Sequence, residues 1–205
     1  FLSLMILAAA YFSTLKKAIP TVVKSAVVLM LFVLVIAVVE IKTGISRNFV
    51  SSADQDKTTL GKYDVTLDMY GWRQLYTKFS EHHKTYVKEG IMPEEAAVVS
   101  DKWFPAAHLD FYVAYPMQLP LYALGSLQDI HKYAWINKYR ELPQNGMDAY
   151  YISHSRQFRS PEHLAKYFQQ IIPLDTVELT RGGKVDAYFF LYKLAGYQAT
   201  FMHEI

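Results

Sequence analysis

The chain has no cysteine among its 205 residues, which excludes disulfide cross-links and thiolate metal sites and leaves the redox compartment open. It has no strong charge of either sign: 21 basic against 19 acidic side chains give a formal net charge of +2. No run of Lys and Arg interleaved with aromatics occurs, so the electrostatic footprint of a nucleic-acid binder is missing and no nucleic-acid partner is expected. Glycine-rich phosphate loops are missing as well. There is no G-x-G-x-x-G, P-loop or G-x-S-x-G stretch, which counts against a soluble doubly wound nucleotide enzyme. Seven histidines are present, but none are paired at i, i+4, the spacing that sets two imidazoles on one metal. His82 and His83 are adjacent on a predicted helix and are read as surface residues.

What the sequence holds in plenty is apolar length. Pro20 to Ile41, PTVVKSAVVLMLFVLVIAVVEI, is a near-unbroken apolar run; roughly 22 residues at 1.5 Å each reach about 33 Å, enough for a hydrocarbon core of about 30 Å. A helix with no polar stripe on any face suits lipid better than a soluble core. Lys24, one turn inside, can snorkel to the headgroups. A second apolar run, Phe1 to Phe12, is too short to span, and it has neither the basic leader nor the small-residue cleavage site of a signal peptide. It is expected to be the end of a truncated membrane helix, which makes the chain a fragment. Lys16 and Lys17 lie between the two runs and favour a cytoplasmic connector, so the residues after Ile41 are expected outside the cytoplasm despite Lys42 and Arg47. The expected organisation is a membrane segment over 1–42, a polar linker over 43–66 and an extracytoplasmic domain over 67–205.

The hydrophobic share of 52% is inflated by those first forty residues, and the remainder reads as a water-soluble α/β domain. Leu75, Phe79, Tyr86 and Val87 recur at helical spacing and predict a helix from about Asp68, its N-cap, to Lys88, stopped by Gly90. Ala96–Ser100 predicts a buried strand, followed by a helix from Asp101 that tolerates Pro105 in its first turn and closes at Pro116. Leu119–Leu124 predicts a second strand. Ser126 and Asp129 form a capping-box variant for a helix to Asn137, and after a turn at Gln144–Gly146, Ala149–Ser153 predicts a third strand. Ser160-Pro161-Glu162 predicts the start of a helix presenting Leu164, Phe168 and Ile171 on one face, ended by Pro173. Thr176–Thr180 and Val185–Tyr192 flank Gly182-Gly183, a hairpin signal. Together these give a mostly parallel sheet with covering helices and a C-terminal antiparallel hairpin, preceded by one complete transmembrane helix and the end of another.

Chemistry is thinner. His108 with Asp110 and Asp129 with His131 have the composition of acid/base couples, yet i, i+2 residues on a helix face different ways. The strand-to-helix joint at Gly125-Ser126 offers N–H groups to a phosphate, or simply a turn followed by an N-cap. Sixteen tyrosines are present, and the central group of Tyr112, Tyr115, Tyr133, Trp135, Tyr139, Tyr150 and Tyr151 suits sugar stacking, a membrane interface or core packing. Ser126, Asp129, His131 and Trp135, at and beyond the mouth of the second strand, form the candidate substrate-contact edge.

With the apolar helix and the linker, the blocks DMYGW (Asp68 to Trp72), AAHLDFY (Ala106 to Tyr112), LPLYALGSLQDIHKYAWIN (Leu119 to Asn137) and GMDAYYIS (Gly146 to Ser153) resemble the C-terminal end of a bacterial family 39 membrane glycosyltransferase. That family is related to dolichyl-phosphate-mannose protein mannosyltransferases and to the aminoarabinose transferase of lipid A. The resemblance covers essentially the whole chain and rests on patterns that are not catalytic motifs. It implies an inner-membrane enzyme, a polyprenyl-phosphate sugar donor and a lipid or protein acceptor on the periplasmic side. It also implies catalytic carboxylates in an external loop upstream, where a divalent metal would be held if one is used. No catalytic residue, cofactor or metal is therefore assigned within this chain, which alone is expected to be inactive. The alternative is a membrane-tethered, non-enzymatic module that binds a glycan or a protein.

Overall fold

The computed structural model of the chain describes residues 2–14, 21–45 and 56–198, and these divide into two compact units, Phe1–Lys42 and Thr43–Ile205. In the first, α1 (Leu2–Thr14) and α2 (Thr21–Thr43) are the apolar helices. The stretch from Val23 to Thr43 is long and apolar enough to cross a membrane, with none of it buried within the protein. At the end of α1 the hydroxyls of Ser13 and Thr14 donate to the carbonyls of Ala10 and Tyr11, satisfying backbone groups that a helix end leaves open. Lys16, Lys17 and Pro20 lie outside the described residues.

The second unit is built on a five-stranded mixed sheet of order β2-β1-β3-β5-β4. Its strands are β1 (Ala97–Ser100), β2 (Leu121–Ala123), β3 (Ala149–His154), β4 (Phe168–Arg181) and β5 (Lys184–Tyr197). β1 is parallel to both β2 and β3, whereas β3–β5 and β5–β4 are antiparallel. The sheet is thus half antiparallel, not mostly parallel. The cause is the segment predicted as a helix from Ser160: only Pro161–Leu164 turns, as a single 3-10 turn, and the chain then runs as the 14-residue strand β4. Leu164, Phe168 and Ile171 fit a helical period locally. Ile171, Ile172, Thr176 and Val177 are β-branched, and cross-strand pairs such as Phe168 with Tyr197 and Val177 with Phe189 decide the outcome. Pro173, expected to end a helix, sits beside a register shift in this edge strand, where a missing N–H disturbs no neighbour. The hairpin turn is as predicted, with Gly182 and Gly183 both at positive φ, at 59° and 79°.

The two sheet faces carry separate cores. Val98, Leu121, Tyr150, Ile152, Phe189 and Leu191 point to one face and meet α3 (Trp72–Lys88), through Leu75 and Phe79, and α4 (Trp103–Leu109), through Ala106 and Leu109. Ala97, Val99, Tyr122, Tyr151 and Leu194 point to the other, under Leu164 and Tyr167. Of the central tyrosines, Tyr133, Tyr150 and Tyr151 are core, while Tyr115, Tyr139 and Trp135 are exposed.

Helix boundaries shift for local reasons. α3 starts at Trp72 behind Gly71, whose φ of 94° and contact with the Leu179 side chain leave no room for a Cβ. Asp68, the predicted cap, lies instead at the end of a 3-10 turn, Val65–Asp68. After α4 a π turn, Asp110–Ala114, leads into the short α5 (Tyr115–Met117), so Pro116 lies inside the helical stretch. Proline has no N–H to close the ordinary ladder, and the widened turn just before it absorbs that loss. The helix predicted from Ser126 to Asn137 is two single turns, α6 (Leu127–Ile130) and α7 (Tyr133–Ile136), separated by His131 at φ 47°.

Both sheet edges are closed by side chains. The Asn137 amide donates to the Ala123 carbonyl and accepts from the Ala123 N–H along β2, and Arg140 donates to Leu121. Along β4, Gln74 pairs with both backbone groups of Thr180, and Lys78 donates to Glu178. The stretch read as linker is packed from Asp56 onward: Ser155 Oγ donates to the Leu60 carbonyl, and Asp64 and Thr66 hold the fully buried guanidinium of Arg181, which also pairs with Asp186. Burial alone would raise the Asp64 pKa, but hydrogen bonds from Thr66 and Arg181 outweigh it and hold the carboxyl below its ordinary range.

Candidate functional site

The chain leaves β1 for β2 on one side and reaches β3 on the other, so the carboxyl end of β1 is a topological switch point, where α/β sheets open a crevice for ligands. Asp101 stands there, directly after Ser100, and is buried. Its carboxylate accepts from Arg159 Nη1 at 2.7 Å and from the Tyr151 hydroxyl at 3.2 Å. His163 Nε2 lies 3.1 Å from the same carboxylate, out of line for a hydrogen bond. Burial and the Asp101 charge together push the Tyr151 phenol up, so Tyr151 is a donor at any working pH. Gly125, at the exit of β2, closes on this point: a Cβ there would lie 3.2 Å from the Asp101 carbonyl.

The end of β3 supplies the second wall. His154 Nδ1 accepts the Arg156 N–H at 2.9 Å, capping the 3-10 turn that follows the strand. Arg156 then reaches across to the Asp64 carbonyl and to Asp68 Oδ1, each at 2.7 Å. Burial, with help from the nearby Arg156 charge, pushes His154 down to about 3 and keeps its imidazole neutral. The third wall is aromatic. Trp72 anchors its indole N–H on the Asp68 carbonyl, stacks on His108 with centroids 4.6 Å apart, and tilts against Phe189. Burial lowers the His108 pKa as well.

These walls enclose a cavity of about 30 Å³, lined by Trp72, Phe104, Asp68, Asp101, Lys102, His154, Arg156 and Arg159 among others. That is room for one water-sized group at the base. Rings beside paired carboxylates and guanidinium groups, at the carboxyl edge of parallel strands, form a setting in which a polar ligand with apolar faces is oriented.

The predicted contact edge lies elsewhere. Ser126 and Asp129 complete their capping box: the Ser126 oxygen accepts from the Asp129 N–H and its hydroxyl donates to the Asp129 carboxylate at 2.8 Å. His131 rests on Trp103, with centroids 5.7 Å apart, and Trp135 tilts against Tyr139 at 4.6 Å. None of the four lines the cavity. The two i, i+2 couples take separate partners: His108 stacks on Trp72 while Asp110 takes Arg140 and the Tyr133 hydroxyl, and Asp129 bonds Ser126 while His131, outside the helix at φ 47°, rests on Trp103. His83, read as a surface residue, is buried with Nδ1 3.0 Å from the Tyr150 hydroxyl; His82 remains partly exposed beside Asp175. Among the described residues no three His, Asp or Glu side chains are grouped to hold a metal.

The cavity residues escaped the sequence because they come from four separate segments, and Asp101 was read as a helix opener. The legible signal was the polar stretch His154-Ser155-Arg156-Gln157-Phe158-Arg159, placed directly after a buried strand. Searches against protein-family models, curated proteins and solved structures find no match to this chain.

Proposed function

We propose that the chain is the last membrane helix and C-terminal extracytoplasmic domain of an inner-membrane glycosyltransferase that moves a sugar from a polyprenyl-phosphate donor to a lipid or protein acceptor. In this proposal the cleft at the carboxyl ends of β1 and β3 contacts the sugar-bearing substrate. The observation that carries the role of the cleft is the meeting of Trp72 and Phe104 with the Asp68–Arg156 and Asp101–Arg159 pairs in one cavity. At the mouth of the cavity the half-buried Phe104 ring offers an apolar face to a sugar and the carboxylate and guanidinium groups beside it read its hydroxyls, while Trp72, buried and stacked on His108, fixes the wall behind them. The reaction class itself rests on the resemblance of the blocks around Trp72, His108, Trp135 and Tyr150, and the apolar helix over Val23–Thr43 supports membrane residence.

Catalysis belongs upstream in this reading. Every carboxylate in the cleft is already bonded to an arginine, and the cavity's buried imidazole is held neutral by burial, so the cleft suits orientation better than proton transfer. The test is transfer of a labelled sugar from a polyprenyl-phosphate donor, measured in membranes with the full-length protein and with this chain alone. Transfer by the full-length protein and none by the chain is expected. Transfer by the chain alone would place catalysis here and overturn the division of labour. No transfer by either, with a glycan bound, would favour the tethered binding module.

A further inference from the structure

The second unit begins at Thr43, which is also the last residue of α2. The next residue is already packed. Gly44 is buried against the Arg181 guanidinium, so closely that a Cβ there would stand 2.5 Å from Nε. The Thr43 carbonyl borders the β4–β5 turn, 3.4 Å from where Gly182 would carry a Cβ. No spacer therefore separates the apolar helix from its first contact with the domain, although the sequence predicts a linker over 43–66. Arg181 also gathers the chain around that contact: Asp64 and Thr66 bond it, and its guanidinium carbon lies 5.3 Å from the centre of the Tyr70 ring. The residues beside these partners are apolar and turned outward. Tyr63 is 84% exposed, Val65 68%, Met69 67% and Ile45 48%. The same end of the sheet carries the cleft. β5 starts at the turn, its Phe189 pairs with His154 at the carboxyl end of β3, and β1 and β2 run parallel to β3. Trp103 and Leu127, which open the helices after β1 and β2, add two more exposed apolar side chains there. Exposed apolar side chains occur elsewhere, Leu142 beside the amino ends of β2 and β3 for one. What singles out this end is the helix that leads into it.

We propose that this end of the domain rests on a lipid surface, with Ile45, Tyr63, Val65 and Met69 in the headgroup layer of the bilayer that α2 crosses. The inference rests on the membrane reading of α2, which the proposed function shares. The 21 residues from Val23 to Thr43 reach about 32 Å at 1.5 Å each, little more than a hydrocarbon core of about 30 Å. Thr43 thus emerges at headgroup level, in a layer about 5–7 Å deep on each side. A domain joined to the chain at that point without slack keeps the side chains around the joint at the lipid surface. Their chemistry suits it: apolar groups left bare in water find cover, and Tyr63, with the Lys62 ammonium 5.9 Å from its ring, pairs an amphipathic ring with a cation that reaches toward phosphates. The cleft at the carboxyl ends of β1 and β3 is then held on the membrane side of the domain, within reach of a substrate carried on a lipid.

Because the chain has no cysteine, single nitroxide labels serve for the test. Val35→Cys, Val65→Cys, Met69→Cys and Leu142→Cys are labelled in the whole chain, one molecule to a nanodisc of phosphatidylcholine and phosphatidylglycerol. Collision of each label with oxygen, which concentrates in lipid, and with a water-soluble nickel chelate reads its depth. All four side chains are exposed, so thermal unfolding should match the parent. The Val35 label, within α2, should meet oxygen and be shielded from nickel. Labels at Val65 and Met69 should meet nickel several-fold less often than the label at Leu142 while still meeting oxygen. If Val35 reads as lipid but Val65 and Met69 match Leu142, the helix spans and the domain stands clear of the bilayer, which overturns this proposal alone. Shielding of Val65 and Met69 from both reagents would mean a protein contact in place of lipid, and overturns it as well. Nickel reaching Val35 would remove the membrane reading of α2 and the proposal with it.

Discussion

At the scale of single residues, His154 is the position where fold and site are most tightly joined. It caps the turn that aims Arg156 and Arg159, and it stays neutral because burial has pushed its pKa down to about 3 from an ordinary 6.5. The sign follows from proton counting. Between those two values the unfolded chain holds a proton that the folded chain does not, so the stabilising effect is complete above about pH 6.5 and is lost as pH falls toward 3. His83 and His108, lowered by burial, act in the same direction. His154→Asn keeps an acceptor for the Arg156 N–H and removes the titration. Denaturant unfolding of this variant should depend less on pH between 6 and 4, by about 1.4 kcal/mol for each pH unit; stability curves parallel to the parent's would contradict the buried neutral imidazole. Ser126 and Asp129 show the opposite relation between sequence and structure. Their capping box was legible because its spacing is local, and a box that satisfies its own polar groups has little left for a substrate.

Among the elements, the strands of the parallel half were readable from short apolar runs, and the hairpin from Gly182-Gly183. What was not readable is pairing at a distance. β4 carries a helical period in Leu164, Phe168 and Ile171, and only its partner β5, supplying Tyr197, Leu194 and Phe189 in register, makes it a strand. The same limit hid the role of Asn137, which was expected to be the end of a helix and instead occupies both hydrogen-bonding positions of Ala123 on the edge strand β2. Asn137 is buried, so Asn137→Leu leaves the Ala123 N–H and C=O without partners. A loss of about 1–3 kcal/mol is expected, with amide exchange at Ala123 accelerated more than at Val99 in the centre of the sheet. Equal protection at Ala123 in variant and parent would show that the edge is closed by something else.

At the scale of the whole molecule, composition and the apolar run from Pro20 to Ile41 sufficed to separate a helix long and apolar enough to cross a membrane from an α/β domain. They could not show where the domain gathers its chemistry. The cleft draws Asp101 from the end of β1, His154 to Arg159 from the end of β3, Trp72 from α3 and Asp68 from the turn before it, residues up to about ninety positions apart that no local pattern connects. The central claim is that this cleft holds substrate and leaves the bond-breaking step to residues upstream. Contacts made equally in the ground and transition states appear in KM and leave kcat alone. The most direct measurement is therefore the dependence of sugar transfer on acceptor concentration in the full-length enzyme carrying Arg159→Gln, which removes a partly exposed guanidinium from the mouth of the cleft. A KM raised about tenfold with kcat held within about twofold is the predicted result, in line with the loss of one charge-assisted hydrogen bond. Transfer abolished while folding and substrate binding persist would make the cleft catalytic, and unchanged kinetics would remove it from the reaction altogether.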